Sequence, residues 1–205
     1  MNLEKLKEAE EIFFSRYPKG FEEEEMKKIA EKHKISKMKD MAREMFAEDR
    51  FLDIDAVMED LIKIVSRSSL VSVFEKARFK DYGKALQEPD KSQLVEGLYE
   101  TIHGDMEKGF DLMIDVLEKA KLAKWPIITI CPLYYNPDEE VFIKPTTVKK
   151  IIAYYELEDI IYKPRPSYEF YSKYKKYFKE MRREVDIKAG CDNASFSGFL
   201  MMSVE

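Results

Sequence analysis

The chain is poor in the residues that staple, punctuate and titrate proteins. Its 205 residues include 2 Cys, 2 His, 1 Trp, 7 Gly and 8 Pro. So little Gly and Pro excludes collagen-like and low-complexity classes. Cys131 and Cys191 lie far apart with no CxxC spacing, so two free thiols are expected and no disulfide. Neither GxxxxGK[ST] nor GxGxxG occurs, which leaves nucleotide binding by a standard phosphate loop unsupported. Two histidines give general acid-base catalysis little to work with; Lys, Tyr, Glu and Arg can still carry chemistry, so the enzyme reading is weakened rather than removed. No cofactor is implied.

Long apolar runs are missing too. The longest, Trp125 to Tyr135, has 11 residues and contains Pro126 and Pro132, whereas a membrane-spanning helix needs about 20. The opening Met1-Asn2-Leu3-Glu4-Lys5 has no basic stretch leading into an apolar one. The expectation is a cytoplasmic protein with no membrane partner.

What is present is a 45% hydrophobic, 37% charged composition, enough for a sizeable core without staples. Residues 1–123 read as consecutive helices, with apolar side chains recurring at three- and four-residue intervals. Asp53, Ser72 and Asp105 are N-cap candidates, Ser36 another, and Gly104 a helix stop. The Glu22 to Glu25 run suits a helix N-terminus, where the macrodipole favours negative charge.

From residue 124 the pattern changes. Ile127-Ile128-Thr129-Ile130 is β-branched, and Asn136-Pro137-Asp138 is a turn signal before Val141-Phe142-Ile143. This predicts a hairpin or two short strands, although an apolar run of that length also fits a buried helix. Phe142-Ile143-Lys144-Pro145 and Ile161-Tyr162-Lys163-Pro164 then read as two strand, Lys-Pro turn, helix units, with Thr146 or Thr147 and Ser167 as hydroxyl caps. The tail from Lys188 is too apolar to be solvated and should pack back as a strand or helix. The expected fold is α-rich α+β: a helical bundle over 1–123 and a smaller α+β part over 124–205 with two or three short strands and two helices, the parts sharing one core.

Charge is the most informative feature. The net charge is −5. Lys144 to Arg183 holds 11 basic and 5 acidic residues, net +6, so the remainder sums to −11. At 100° per residue, Phe170, Tyr171, Tyr174, Tyr177, Phe178 and Met181 share one arc of a helix. Lys175, Lys176, Lys179, Arg182 and Arg183 share the opposite arc. The aromatic arc is read as core. The basic arc contains no carboxylate, so the usual i,i+4 neutralisation is missing. Lys144, Thr146, Lys163, Arg165 and Ser167 form a second candidate anion site, because hydroxyls and cations at helix N-termini can hold phosphate.

On the acidic side, Glu107, Asp111, Asp115 and Glu118 lie along one helix. Solvent screening, docking onto the protein's own basic segment, or a divalent metal would each relieve their repulsion. Glu100 and His103 make one ExxH of the kind found in di-iron bundles, but a second pair is missing. Three functions follow. The first is a non-enzymatic binding or adaptor protein engaging an acidic partner, such as nucleic acid or an acidic protein face, through the basic arc. The second is a metal- or phosphate-handling enzyme using Glu100, His103, Glu107, Asp111 and Asp115. The third is a homo-oligomer held by acidic and basic helix faces.

Overall fold

A computed structural model describes residues 1–204. These residues form eleven α-helices: α1 (Leu3–Arg16), α2 (Glu24–His33), α3 (Ile35–Met45), α4 (Ile54–Arg67), α5 (Val73–Ala85), α6 (Asp90–His103), α7 (Met106–Glu118), α8 (Trp125–Tyr135), α9 (Pro145–Tyr154), α10 (Tyr168–Arg183) and α11 (Asn193–Ser203). Short 3-10 turns lie at Gly20–Glu22, Glu48–Leu52 and Ile187–Ala189. No strand occurs among the described residues, so the α+β expectation for the C-terminal part is corrected to an all-helical fold.

The correction turns on α8. Its sequence is apolar on every side, and every residue from Trp125 to Tyr134 is buried. A helix with no polar face shows no 3.6-residue period, so β-branched content is the only local cue, and tertiary burial overrides it. Pro126 sits at the helix start, where its missing N–H is no loss. Pro132 lies inside the helix and leaves one carbonyl without its intrahelical donor. Helices α3, α4, α6 and α7 pack around α8.

The two segments expected as strands are extended but pair with no other strand. Helix side chains meet several backbone groups of the first segment and one of the second instead. Thr129 Oγ1 accepts from Ile143 N–H at 3.1 Å and donates to Trp125 O at 2.8 Å. The Tyr171 hydroxyl accepts from Val141 N–H at 3.1 Å, and Asn193 Nδ2 donates to Glu140 O at 2.9 Å. Lys163 O accepts from Trp125 Nε1 at 2.8 Å. With these donors and acceptors placed by the helices, no ladder is needed to bury Val141 and Ile143, while the second segment stays at the surface, with Ile161 80% exposed.

Helix ends follow local chemistry. Asp53, Ser72, Asp105 and Ser167 cap α4, α5, α7 and α10 through their side chains. Two cap expectations fail. Lys34, with a left-handed φ of 53°, stands where Ser36 was expected, and Lys144 precedes Pro145 where Thr146 or Thr147 was expected. In both places the helix starts earlier than the hydroxyls suggest.

Helices α6 and α7 cross with their backbones close together. A Cβ at Gly109 would lie 2.6 Å from Thr101 N, and one at Gly97 would lie 2.7 Å from Met113 Cγ. The buried side chains form one cluster running from Leu6 through Leu200. Across it, α1 meets α11, where the Phe13 and Phe199 rings pack edge to face at 5.3 Å.

Candidate functional site

Helix α10 has the two faces its periodicity implies. Phe170, Tyr171, Tyr174, Phe178 and Met181 are buried. The opposite side carries a shallow cleft of about 330 Å³, lined by Ser172, Lys175, Lys176, Lys179, Glu180 and Arg183. Four of those six side chains are cations gathered from three turns of one helix, as the spacing requires.

Much of this positive charge is already engaged within the protein. Lys175 Nζ lies 3.0 Å from Glu140 Oε2, and Lys179 Nζ pairs with Glu139. Arg182 is turned away from solvent. It donates from Nε to Gly190 O at 3.0 Å, from Nη1 to Asn193 Oδ1 at 2.7 Å and from Nη2 to Cys191 O at 2.7 Å. Lys176 and Arg183 are exposed and form no ion pair among the described residues. Lys179 beside Glu139 holds that carboxyl below the usual carboxylate range. Glu139 and Glu140 were not singled out from the sequence. They come from the turn that follows α8, far from α10 in sequence, where helical arithmetic on α10 gives no sign of them.

The second candidate set is not gathered into the α10 cleft. Arg165 forms a two-pronged pair with Glu118 of α7, Nε to Oε1 at 2.6 Å and Nη2 to Oε2 at 3.1 Å. That pairing lowers the Glu118 pKa from its ordinary value. Ser167 Oγ is occupied by Phe170 N–H at 3.4 Å, Thr146 lies within the first turn of α9, and Lys144 and Lys163 are exposed. One end of the acidic row on α7 therefore docks on the protein's own basic segment, while Glu107, Asp111 and Asp115 remain in solvent.

The residues of the metal reading have other partners. Glu100 accepts from Asp105 N–H at 2.7 Å and pairs with Lys108 at 2.8 Å, joining the end of α6 to the start of α7. His103 Nε2 lies 2.7 Å from Phe46 O, and its ring sits among Phe51, Tyr99 and Tyr135. Among the described residues no group of three or more His, Cys, Asp or Glu side chains is arranged to hold a metal ion. Burial pushes the Cys131 thiol pKa up, as expected for an inert core thiol. No helix among the described residues is long and apolar enough to cross a membrane. Comparison with family models, curated proteins and solved structures finds no match to this chain.

Proposed function

We propose that this chain is a non-enzymatic binding protein that engages an acidic partner, such as nucleic acid, through the exposed side of α10. The supporting observation is the cleft in which Lys175, Lys176, Lys179 and Arg183 converge. Lys176 and Arg183 are the side chains that would meet the partner's charge directly, because Lys175 and Lys179 would first have to share theirs with Glu140 and Glu139. Binding of this kind is weak and strongly salt-dependent.

The test is a duplex RNA or DNA titration read by fluorescence anisotropy over a range of salt. With two unpaired cations, the slope of log K against log salt should be about −2. Lys176→Glu with Arg183→Glu should abolish binding, whereas Arg165→Ala, outside the cleft, should leave it unchanged. Salt-independent binding, or none at low ionic strength, would sink the reading.

A further inference from the structure

We infer that a second surface, remote in sequence from α10, is a docking groove for a basic amphipathic helix of a partner protein. The 3-10 turn Glu48–Leu52 lies against α6 and leaves an open groove of about 860 Å³ between them. Its apolar part is made by Leu52, Ile54 and Val95 with the rings of Phe51 and Tyr99. Leu52 is 91% exposed, the highest fraction among the chain's large apolar side chains. A leucine so placed gains nothing in the isolated protein and would gain on being covered.

The charge of the groove selects the occupant. Glu48, Asp49 and Glu96 line it, and no cation does. Lys108 pairs with Glu96 at 2.9 Å, while Arg50 pairs with Asp60 at 3.4 Å and Lys91 with Asp55 at 2.7 Å, so Glu48 and Asp49 are the groove carboxylates left without a cation among the described residues. Tyr99 donates its hydroxyl to Glu48 at 3.0 Å, fixing one carboxylate on the groove wall. Asp49 is exposed and unpaired among the described residues. A second copy of this chain, joined by a two-fold axis at the groove, would set these carboxylates against their own images. A helix with an apolar stripe flanked by Lys or Arg satisfies both the leucine and the carboxylates, the helix-in-groove mode of recognition.

The probe is a fluorescein-labelled peptide of Leu and Lys with leucines at i, i+3, i+4 and i+7, compared with its Leu and Glu counterpart. Wild-type protein should bind the Lys peptide and not the Glu peptide. Leu52→Asn and Asp49→Lys, both at exposed positions, should each weaken binding about tenfold while leaving the circular dichroism spectrum unchanged. Equal binding by wild type and both variants overturns the proposal, as does no saturable binding up to ~1 mM peptide. A wild-type dimer in sedimentation that Leu52→Asn disperses would also overturn it, by giving the groove to a second copy.

Discussion

The Tyr171 hydroxyl donates to Glu140 Oε2 at 2.7 Å and accepts from Val141 N–H at 3.1 Å, so one phenol on α10 holds both the backbone and a carboxylate of the segment between α8 and α9. Glu140 is only 8% exposed, and Lys175 Nζ completes its coordination at 3.0 Å. Burial, reinforced by the Glu140 charge, raises the Tyr171 pKa well above the ordinary phenol value, so the hydroxyl stays protonated as a donor. Lys175, which helical arithmetic assigned to a binding surface, is one of three members of this structural triad.

Tyr171→Phe keeps the ring and removes both bonds. It leaves a buried N–H and a buried carboxylate oxygen short of partners, which should cost about 1–3 kcal/mol. Urea denaturation with an unchanged m-value would measure it.

Arg182→Lys keeps the charge but not the planar fork that reaches Gly190 O, Cys191 O and Asn193 Oδ1 together. Stability should fall by about 2 kcal/mol. The amides of α11 should exchange with solvent faster than those of α7, because Arg182 ties the start of that helix and nothing in the α6–α7 pair.

Asp192 caps α11 by accepting from Ser195 N–H at 2.8 Å, and it pairs with Lys39 of α3. Burial alone would raise its pKa. The Lys39 ammonium and the Ser195 bonds outweigh burial and lower it. A carboxylate with a depressed folded pKa contributes stability that is present above its unfolded value, near 3.9, and lost as pH falls through the folded value. Thermal melts from about pH 5 downward should show this loss, and Asp192→Asn, which retains a capping oxygen, should flatten that part of the profile.

Gly109→Ala tests the helix crossing. Alanine favours a helix over glycine by about 1 kcal/mol, but here the added methyl would fall 2.6 Å from Thr101 N. Overpacking of about 1–3 kcal/mol should win, giving a net loss of stability by chemical denaturation. A stabilised variant would show that α6 and α7 can slide apart.

The helices that were legible in the sequence are those with one wet face. The stripes of α6, α7 and α10 are visible because water enforces polarity on one side, and the caps at Asp53, Ser72, Asp105 and Ser167 are visible because each is satisfied within three residues. Helix α8 lacks that contrast. Surrounded by other helices, it presents only composition, and Ile127 to Ile130 resembles a strand. The segment around Val141 was misread for a related reason: a sequence shows that a stretch is β-branched and apolar, not whether its N–H groups will meet another strand or the hydroxyls of Tyr171 and Thr129.

The candidate surface was half legible. Periodicity grouped five cations of α10, of which Lys175, Lys176, Lys179 and Arg183 line one cleft while Arg182 bonds to Gly190, Cys191 and Asn193, and it left out Glu180, which lies just outside the basic arc and also lines the cleft. The opposing charges enter from a different part of the chain, Glu140 35 residues from Lys175 and Glu139 40 from Lys179. Pairing over such separations depends on tertiary placement, which a count along one helix does not contain.

The packing of Phe13 against Phe199 sets a timetable for folding. Helix α1 leaves the ribosome well before Phe199, the ring that covers it, has been made. At about 5–20 residues per second, α1 waits about 10–40 s before α11 can reach it. During that interval its apolar face is open to chaperones, and any translational pause before codon 199 lengthens the exposure.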